Sequence, residues 1–174
     1  MSSSENRPAV RKKNVNHPVL ENPDSAQEIL WARPGFLVRK LHQIHVAMFL
    51  TECKAFGITP VQYAILTAPA ALPGLDLTSL ANEVGLDRTT TAEVVRRLEQ
   101  RGLLERRTND ADKRTRHVYL TAQGKTTVAA MYADMVRAQE RMLEPLTDTQ
   151  KGTFMKMLSS LVEANNEYSR AARR

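Results

Sequence analysis

Residues 80–98 constrain the fold more than any other part of this sequence. Their sequence is LANEVGLDRTTTAEVVRRL. Ala81 is small enough to let two helices cross closely, and Gly85 gives a tight turn the permissive backbone that it needs. The apolar positions beyond the turn recur at helical spacing: Leu86, Val94, Val95 and Leu98. The spacing therefore predicts two helices joined by a tight turn, a helix-turn-helix.

The residues after this motif predict a β-hairpin. The second helix is expected to run from Arg88 to Arg101 and to end at Gly102, which suits the left-handed position that follows a helix. Two strand-like segments come next, at 103–107 and 116–120, on either side of a polar and charged tip. A hairpin directly after a helix-turn-helix predicts a mainly α (α+β) fold, a winged helix-turn-helix.

Helices are also predicted before, within and after this motif. Thr59 and Gln62 have the spacing of a capping box, with Pro60 at the first helical position. Pro69 and Pro73 are expected to end the helix that begins there. The further helices are predicted over residues 25–32, 36–56, 60–71, 77–84, 121–143 and 147–168.

The two helices after the hairpin are rich in apolar residues. We expect these residues to line the inner faces of the helices: Val128, Met131, Met135, Met142, Phe154, Met157, Leu158 and Leu161. Because the terminal helices have more apolar surface than a single winged domain needs, we expect long N- and C-terminal dimerisation helices, and so a homodimer.

The length of 174 residues fits one domain with tails. Residues 25–174 are predicted to form that domain, with a DNA-binding lobe at 58–120 and dimerisation helices at 25–57 and 121–168. Residues 1–24 are predicted to be a mobile arm. Its basic cluster has two interpretations, a contact to phosphate or, as we favour, a solvated tail: Arg11, Lys12 and Lys13.

Neither a membrane span nor a secretory signal is evident in the sequence. No stretch has the roughly 18 uninterrupted apolar residues of a spanning helix. The polar start of the chain lacks the apolar region of a signal peptide. We therefore expect a cytoplasmic protein with no membrane partner.

The basic charge favours a polyanionic partner, and its distribution indicates double-stranded DNA. The formal net charge is +6, with an isoelectric point near 9.7. Residues 88–116 hold nine basic and five acidic side chains, a net charge of +4. With the apolar residues of the second helix turned inward, its polar side chains face outward, where a major groove would meet them: Arg88, Thr89, Thr90, Glu93, Arg96 and Arg97.

Four of these side chains are the predicted base contacts: Thr89, Thr90, Glu93 and Arg97. Threonine offers a hydroxyl and a methyl group, arginine a bidentate fork for guanine, and glutamate an acceptor for cytosine N4. The alternative for the whole face is a charged, solvated helix surface. A dimer would place two such helices on half-sites about 10 base pairs apart in a pseudo-palindromic operator.

The hairpin tip is predicted to contact DNA as a wing, through Lys113, Arg114 and Arg116. Arg114 is the side chain expected to enter a minor groove. Asp112 is expected to pair internally, since an acid beside phosphates repels them. A plain hairpin with a solvated tip is the alternative.

From Gly35 to about Asn166 the chain resembles the multiple-antibiotic-resistance regulator (MarR) family of bacterial repressors. The most specific parts are LTSLANEVGLDRTTTAEVVRRLEQRGLLERR and the wing NDADKRTRHVYLTAQGK. The family's wing has two acids followed by two basic residues; the first basic position is lysine here, where arginine is common. These four positions are Asp110, Asp112, Lys113 and Arg114. The resemblance implies a dimer that releases DNA when a small phenolic or carboxylate ligand binds.

The segment from Pro34 to Ile44 also resembles family members that sense aromatic acids or their coenzyme A thioesters. Arginine can bind a carboxylate with two hydrogen bonds, and histidines one turn apart can hydrogen-bond a ring substituent beside aromatic walls. The predicted ligand-binding residues are Trp31, Phe36, Arg39, His42, His45 and Tyr63. Packing or dimer contacts are the alternative for His42 and His45.

Other functions have weaker support in the sequence. The single cysteine, Cys53, leaves open a ligand-independent or redox-responsive DNA-binding protein. His42 and His45 lack a third metal ligand at suitable spacing, so no metal is expected. No glycine-rich phosphate loop, nucleophile elbow or zinc-enzyme signature is present, and we expect neither catalysis nor a cofactor.

Overall fold

The computed structural model describes residues 26–108 and 116–168 of the chain. The predicted arm at 1–24, with Arg11, Lys12 and Lys13, lies outside the described residues. The chain divides into two compact units, one ending at His42 and the other beginning at Gln43. Each unit is described by itself below.

The first unit contains helix α1, Ala26–Trp31, and the beginning of helix α2, Pro34–Glu52. The rings of Trp31 and Phe36 meet edge to face, with centroids 5.8 Å apart. Lys40 Nζ lies 5.8 Å from the centroid of the Trp31 ring. A small aromatic and cationic cluster therefore forms where the two helices meet.

The second unit is a set of helices around a small sheet. Its helices are α3 Pro60–Ala71, α4 Leu77–Val84, α5 Arg88–Gln100, α6 Ala122–Leu143 and α7 Asp148–Ala164, with short 3-10 turns at Lys54–Phe56 and Asn166–Tyr168. Its strands are β1 Leu75–Asp76, β2 Leu104–Thr108 and β3 Arg116–Leu120. All pairings are antiparallel, and β3 lies between β1 and β2.

Side-chain caps explain where these helices begin. The capping box predicted at Thr59 and Gln62 is confirmed: each side chain accepts a hydrogen bond from the backbone N–H of the other. Asp76, Asp87 and Thr121 accept bonds from the first turns of α4, α5 and α6 in the same way. The starts of these helices are therefore encoded locally.

The core fixes the helix-turn-helix against the sheet and against α6. Ala81 is buried, and Gly85 has a φ of +69°, so the predicted crossing and turn are both present. The largest buried apolar side chains come from α2, the segment before α3, α3, α4, α5, β3 and α6: Phe49, Ile58, Ile65, Leu66, Leu80, Val95, Leu98, Val118 and Met131. This scaffold holds the outer face of α5 in a fixed orientation. The predicted winged helix-turn-helix fold is confirmed.

Several element boundaries differ from the predictions. Pro69 does not end α3; it is buried inside the helix, which continues to Ala71. A proline inside a helix removes one backbone donor and its ring crowds the carbonyl four residues earlier, so it disfavours a helix without always ending one. The strand β1 was not predicted, because two residues are too few to show alternation. Helix α2 ends at Glu52 rather than near Phe56.

The apolar residues of α7 are a second difference. No residue of this helix is buried within the chain. Met157 is 64% exposed and Leu161 61% exposed, so the face predicted to be an inner one is not covered within the described residues. None of the described helices is both long and apolar enough to cross a membrane.

Candidate nucleic-acid interface

Helix α5 has one buried face and one exposed face. Thr91, Val95 and Leu98 point into the core. The opposite side carries the polar residues predicted to face DNA: Arg88, Thr89, Thr90, Arg96 and Arg97 are exposed, and Glu93 is partly exposed. Sequence analysis did not predict that Thr91 is buried; its hydroxyl donates to the Asp87 carbonyl at 2.9 Å. This bond satisfies the one polar side chain that α5 buries.

Asp87 organises the N-terminal end of α5. Its carboxylate accepts bonds from the Thr90 backbone N–H at 2.8 Å and from the Thr90 hydroxyl at 2.7 Å. These bonds favour the charged form and hold the pKa of Asp87 below its usual value. Because the Thr90 hydroxyl already donates to Asp87, it is left to act as an acceptor or through its methyl group.

Glu93 holds two arginines on the exposed face of α5. Its carboxylate accepts from Arg96 Nε at 3.0 Å, from an Arg96 terminal nitrogen at 2.8 Å, and from Arg97 Nε at 2.9 Å. The bonds from Arg96 and then Arg97 lower the pKa of Glu93 to about 2. Glu93 is therefore ionised at neutral pH and engaged with both arginines.

The C-terminal end of α5 has two side-chain links that sequence reasoning missed. Glu99 and Arg106 form a two-bond ion pair at 2.7 and 2.8 Å, which joins α5 to β2. Arg101 donates to the backbone carbonyls of Phe56 and Gly57, at 3.0 Å each. The partners of Arg101 lie 44 and 45 residues away in the sequence, so no local pattern signals this contact.

The base of the wing is ordered by the sheet. Arg116 is exposed and pairs in register with Thr108, at the outer end of the hairpin. The other two predicted wing contacts, Lys113 and Arg114, lie outside the described residues, as do Asp110 and Asp112. His117 Nδ1 lies 2.6 Å from the Gly74 carbonyl oxygen, which ties β3 to the turn before β1.

The six residues predicted to bind a ligand fall in both units. Trp31, Phe36, Arg39 and His42 belong to the first, and His45 and Tyr63 to the second. Within the second unit, His45 Nε2 is 3.2 Å from Gln139 Nε2, and Tyr63 packs beside Phe49 with ring centroids 5.8 Å apart. Burial raises the pKa of Tyr63. Over residues 26–108 and 116–168, no group of three potential metal ligands is found.

Cys53 lies in the core of the second unit. Its side chain is 1% exposed, and burial raises the pKa of the thiol. Because the thiolate is the reactive form of cysteine, both observations disfavour a redox sensor at this position.

A tightly turned pair of helices, a basic outer face on the second helix and a hairpin beside it define a winged helix-turn-helix DNA-binding protein. The family model "MarR family" matches residues 58–115. Transcriptional regulator HosA of Escherichia coli O111:H- is 33% identical over 127 residues, which cover 73% of this chain and 93% of HosA. The chain belongs to the MarR family of transcriptional regulators.

Two solved structures of similar proteins extend this result. The PcaV transcriptional regulator of Streptomyces coelicolor, in complex with its natural ligand, is 35% identical, with a TM-score of 0.72; the match covers 78% of this chain and 95% of PcaV. BpsR of Bordetella bronchiseptica, whose DNA binding is regulated by 6-hydroxynicotinic acid, is 25% identical, with a TM-score of 0.71; the match covers 75% of this chain and 93% of BpsR.

Proposed function

We propose that the protein is a dimeric repressor that leaves its operator when a small aromatic or heteroaromatic carboxylate, or its thioester, binds. One observation carries the DNA part of this proposal: α5 presents Arg88, Thr89, Arg96 and Arg97 on a face that the core holds outward. A rigid helix with a basic outer face fits the major groove of double-stranded DNA.

Side-chain chemistry separates the residues proposed to contact bases from those proposed to contact phosphates. Thr89, Thr90, Glu93 and Arg97 are the proposed base contacts, and Arg88 and Arg96 add charge toward phosphates. The wing residues Lys113, Arg114 and Arg116 are proposed to bind the flanking duplex.

Dimerisation is supported by the unpartnered apolar face of α7. Met157, Leu161 and Val162 are all more than 60% exposed. Burial of these apolar side chains against a second copy of the chain would lower the free energy of the assembly. A two-fold dimer presents two α5 helices, and successive major grooves on one side of a duplex lie about 34–36 Å apart.

The ligand part of the proposal is supported by the similar protein BpsR, for which 6-hydroxynicotinic acid is the stated regulator. In this chain Arg39 is exposed on α2 and is proposed to bind the carboxylate, with His42 on the same helix bonding a ring substituent. Trp31 and Phe36, in the same unit as Arg39, are proposed as its aromatic contacts. His45 and Tyr63 stay predictions for the second unit. The ligand must bind the DNA-free conformation more tightly to cause release.

Fluorescence anisotropy with a duplex from upstream of the protein's own gene tests this function. We expect competitor-resistant binding that 6-hydroxynicotinate, 4-hydroxybenzoate or a related acid reverses. Trp31 is the only tryptophan of the sequence, so its emission reports ligand binding in parallel. Arg39→Gln should abolish the effect of the acid and leave operator affinity intact, while Lys156→Gln on α7 serves as the control.

Failure of every acid to change either signal would refute the ligand part but not the DNA part. The redox alternative has a separate test, in which the protein is treated with peroxide before the titration. Because Cys53 is buried, we expect unchanged operator affinity and an unmodified thiol by mass spectrometry.

A further inference from the structure

The recognition helix α5 is tied at its C-terminal end to a turn of backbone far away in the sequence. Both terminal nitrogens of Arg101 donate hydrogen bonds, one to the Phe56 carbonyl and one to the Gly57 carbonyl, each at 3.0 Å. The planar guanidinium fork fixes direction as well as distance, which a single bond does not.

The turn that receives these bonds is itself fixed. It begins at Cys53 and ends at Ile58, and both side chains are buried in the core. Between them the backbone makes a 3-10 turn that closes at Gly57, where φ is +57°. The two carbonyls that accept from Arg101 are therefore presented by a rigid segment directly after α2.

Arg101 lies where a small change in the tilt of α5 would move the far end of the helix. It follows the last residue of α5, and its backbone N–H bonds to the Arg97 carbonyl, so its side chain is continuous with the helix. The neighbouring Glu99–Arg106 pair ties the same helix end to β2. A small rotation about this end displaces the exposed residues at the other end of α5, including Thr89.

We propose that Arg101 is a positioning residue for DNA recognition: it sets the orientation of α5 by clamping the helix to the 56–57 carbonyls. The inference rests on the proposed placement of α5 in the major groove. Arg101 would then contribute to the preference for one DNA sequence and not to the general attraction to phosphates. Arg97, one helical turn earlier, carries the same charge.

The competing role is a direct contact from Arg101 to phosphate. A phosphate contact depends on charge, so lysine can replace arginine there, and its loss weakens binding to every sequence and lowers the salt dependence. A clamp depends on two hydrogen bonds from one planar guanidinium group, so lysine can replace arginine there only in part. Charge-preserving and charge-removing variants therefore separate the two roles.

The experiment compares Arg101→Lys and Arg101→Gln with the wild type and with Lys156→Gln as the surface control. Each variant is titrated with a duplex enriched from a random library by the wild-type protein, and with a random duplex, over a range of salt concentrations. Thermal unfolding is followed in parallel. The bonds of Arg101 are exposed, so all variants are expected to fold.

For Arg101→Lys we expect an operator affinity about tenfold weaker, comparable to the loss of one base-pair contact, with unchanged random binding and salt slope. Arg101→Gln should lose still more preference for the enriched duplex. Wild-type behaviour of Arg101→Lys, or equal losses on both duplexes with a smaller salt slope, would overturn the proposal. If the wild-type protein binds the enriched and random duplexes equally, the proposed function itself is wrong, whatever the Arg101 variants do.

Discussion

Glu93 Oε1 accepts a hydrogen bond from Arg97 Nε at 2.9 Å, across one turn of the recognition helix. The same carboxylate binds Arg96. A negative charge on a surface proposed to meet DNA repels phosphates, yet it also restrains two long cationic side chains. Glu93 therefore lowers the net positive charge of the exposed face of α5 while it holds Arg96 and Arg97 in place.

Glu93→Gln tests both effects of the Glu93 carboxylate, its negative charge and its hold on Arg96 and Arg97. Removal of the charge should tighten binding to random DNA by about three- to tenfold and steepen the salt dependence, because the arginines are then free to meet phosphates. The ratio of operator to random affinity should fall. Glu140→Gln on α6, where the neighbouring residues are Glu52, Arg137 and Arg141, makes the same change of net charge away from α5. An equal effect of that variant would show that net charge alone is responsible.

The pH dependence of Glu93 follows from its pKa of about 2. The folded pKa lies below the ordinary value of 4.5, so the stabilisation from ionised Glu93 is fully present above pH 4.5 and is lost as the pH falls toward 2. Between pH 5.5 and 7.5 the group stays charged. We expect the affinity ratio of wild type to Glu93→Gln to be constant over that range, as measured by anisotropy; a drift with a midpoint near pH 6 would contradict the assignment.

The fold was predictable where its signals are local. Ala81, Gly85 and the capping residues Thr59 and Gln62 act within a few positions of themselves, so spacing alone located the helices around them. The clamp from Arg101 was not predictable, since its partners are backbone carbonyls more than forty residues away. Sequence analysis expected surplus apolar surface on the terminal helices, and α7 has it, but a hydrophobic stripe does not show which chain covers that surface.

Substitution of the proposed base and phosphate contacts should give different patterns of loss. Arg97→Ala removes a fork suited to guanine, so we expect a loss of about 1–3 kcal/mol at one base pair and relaxed preference there. Arg114→Ala, in the wing, should weaken binding to all sequences and lower the salt slope. A panel of single-base operator variants measures both, and the same pattern from the two substitutions would refute the separation.

Asp76 provides a test of capping by pH. The Ser79 backbone N–H donates to its carboxylate at 2.7 Å and lowers its pKa. Asp76→Ala should cost about 1 kcal/mol at pH 7, whereas Asp76→Asn keeps an acceptor and should cost less. Because the folded pKa is depressed, the advantage of Asp over Asn is present above about pH 4 and shrinks as the pH falls through the folded pKa. Urea unfolding at pH 7 and pH 3 measures the change, and an advantage that grows in acid would contradict the cap.

Two glycines within helices should respond to alanine in opposite directions. A Cβ at Gly124 would lie 2.1 Å from the Leu103 carbonyl oxygen and 2.9 Å from Leu120 Cδ2, whereas a Cβ at Gly152 meets nothing within 4 Å. The Leu103 carbonyl cannot move freely, because it accepts from the Thr121 backbone N–H at 3.2 Å. We expect Gly124→Ala to destabilise the fold by about 1–3 kcal/mol or more despite the better helix propensity of alanine, and Gly152→Ala to stabilise it by about 0.5–1 kcal/mol. Urea unfolding of both variants measures the difference, and a neutral Gly124→Ala would show that α6 does not pack against Leu103 as closely as described.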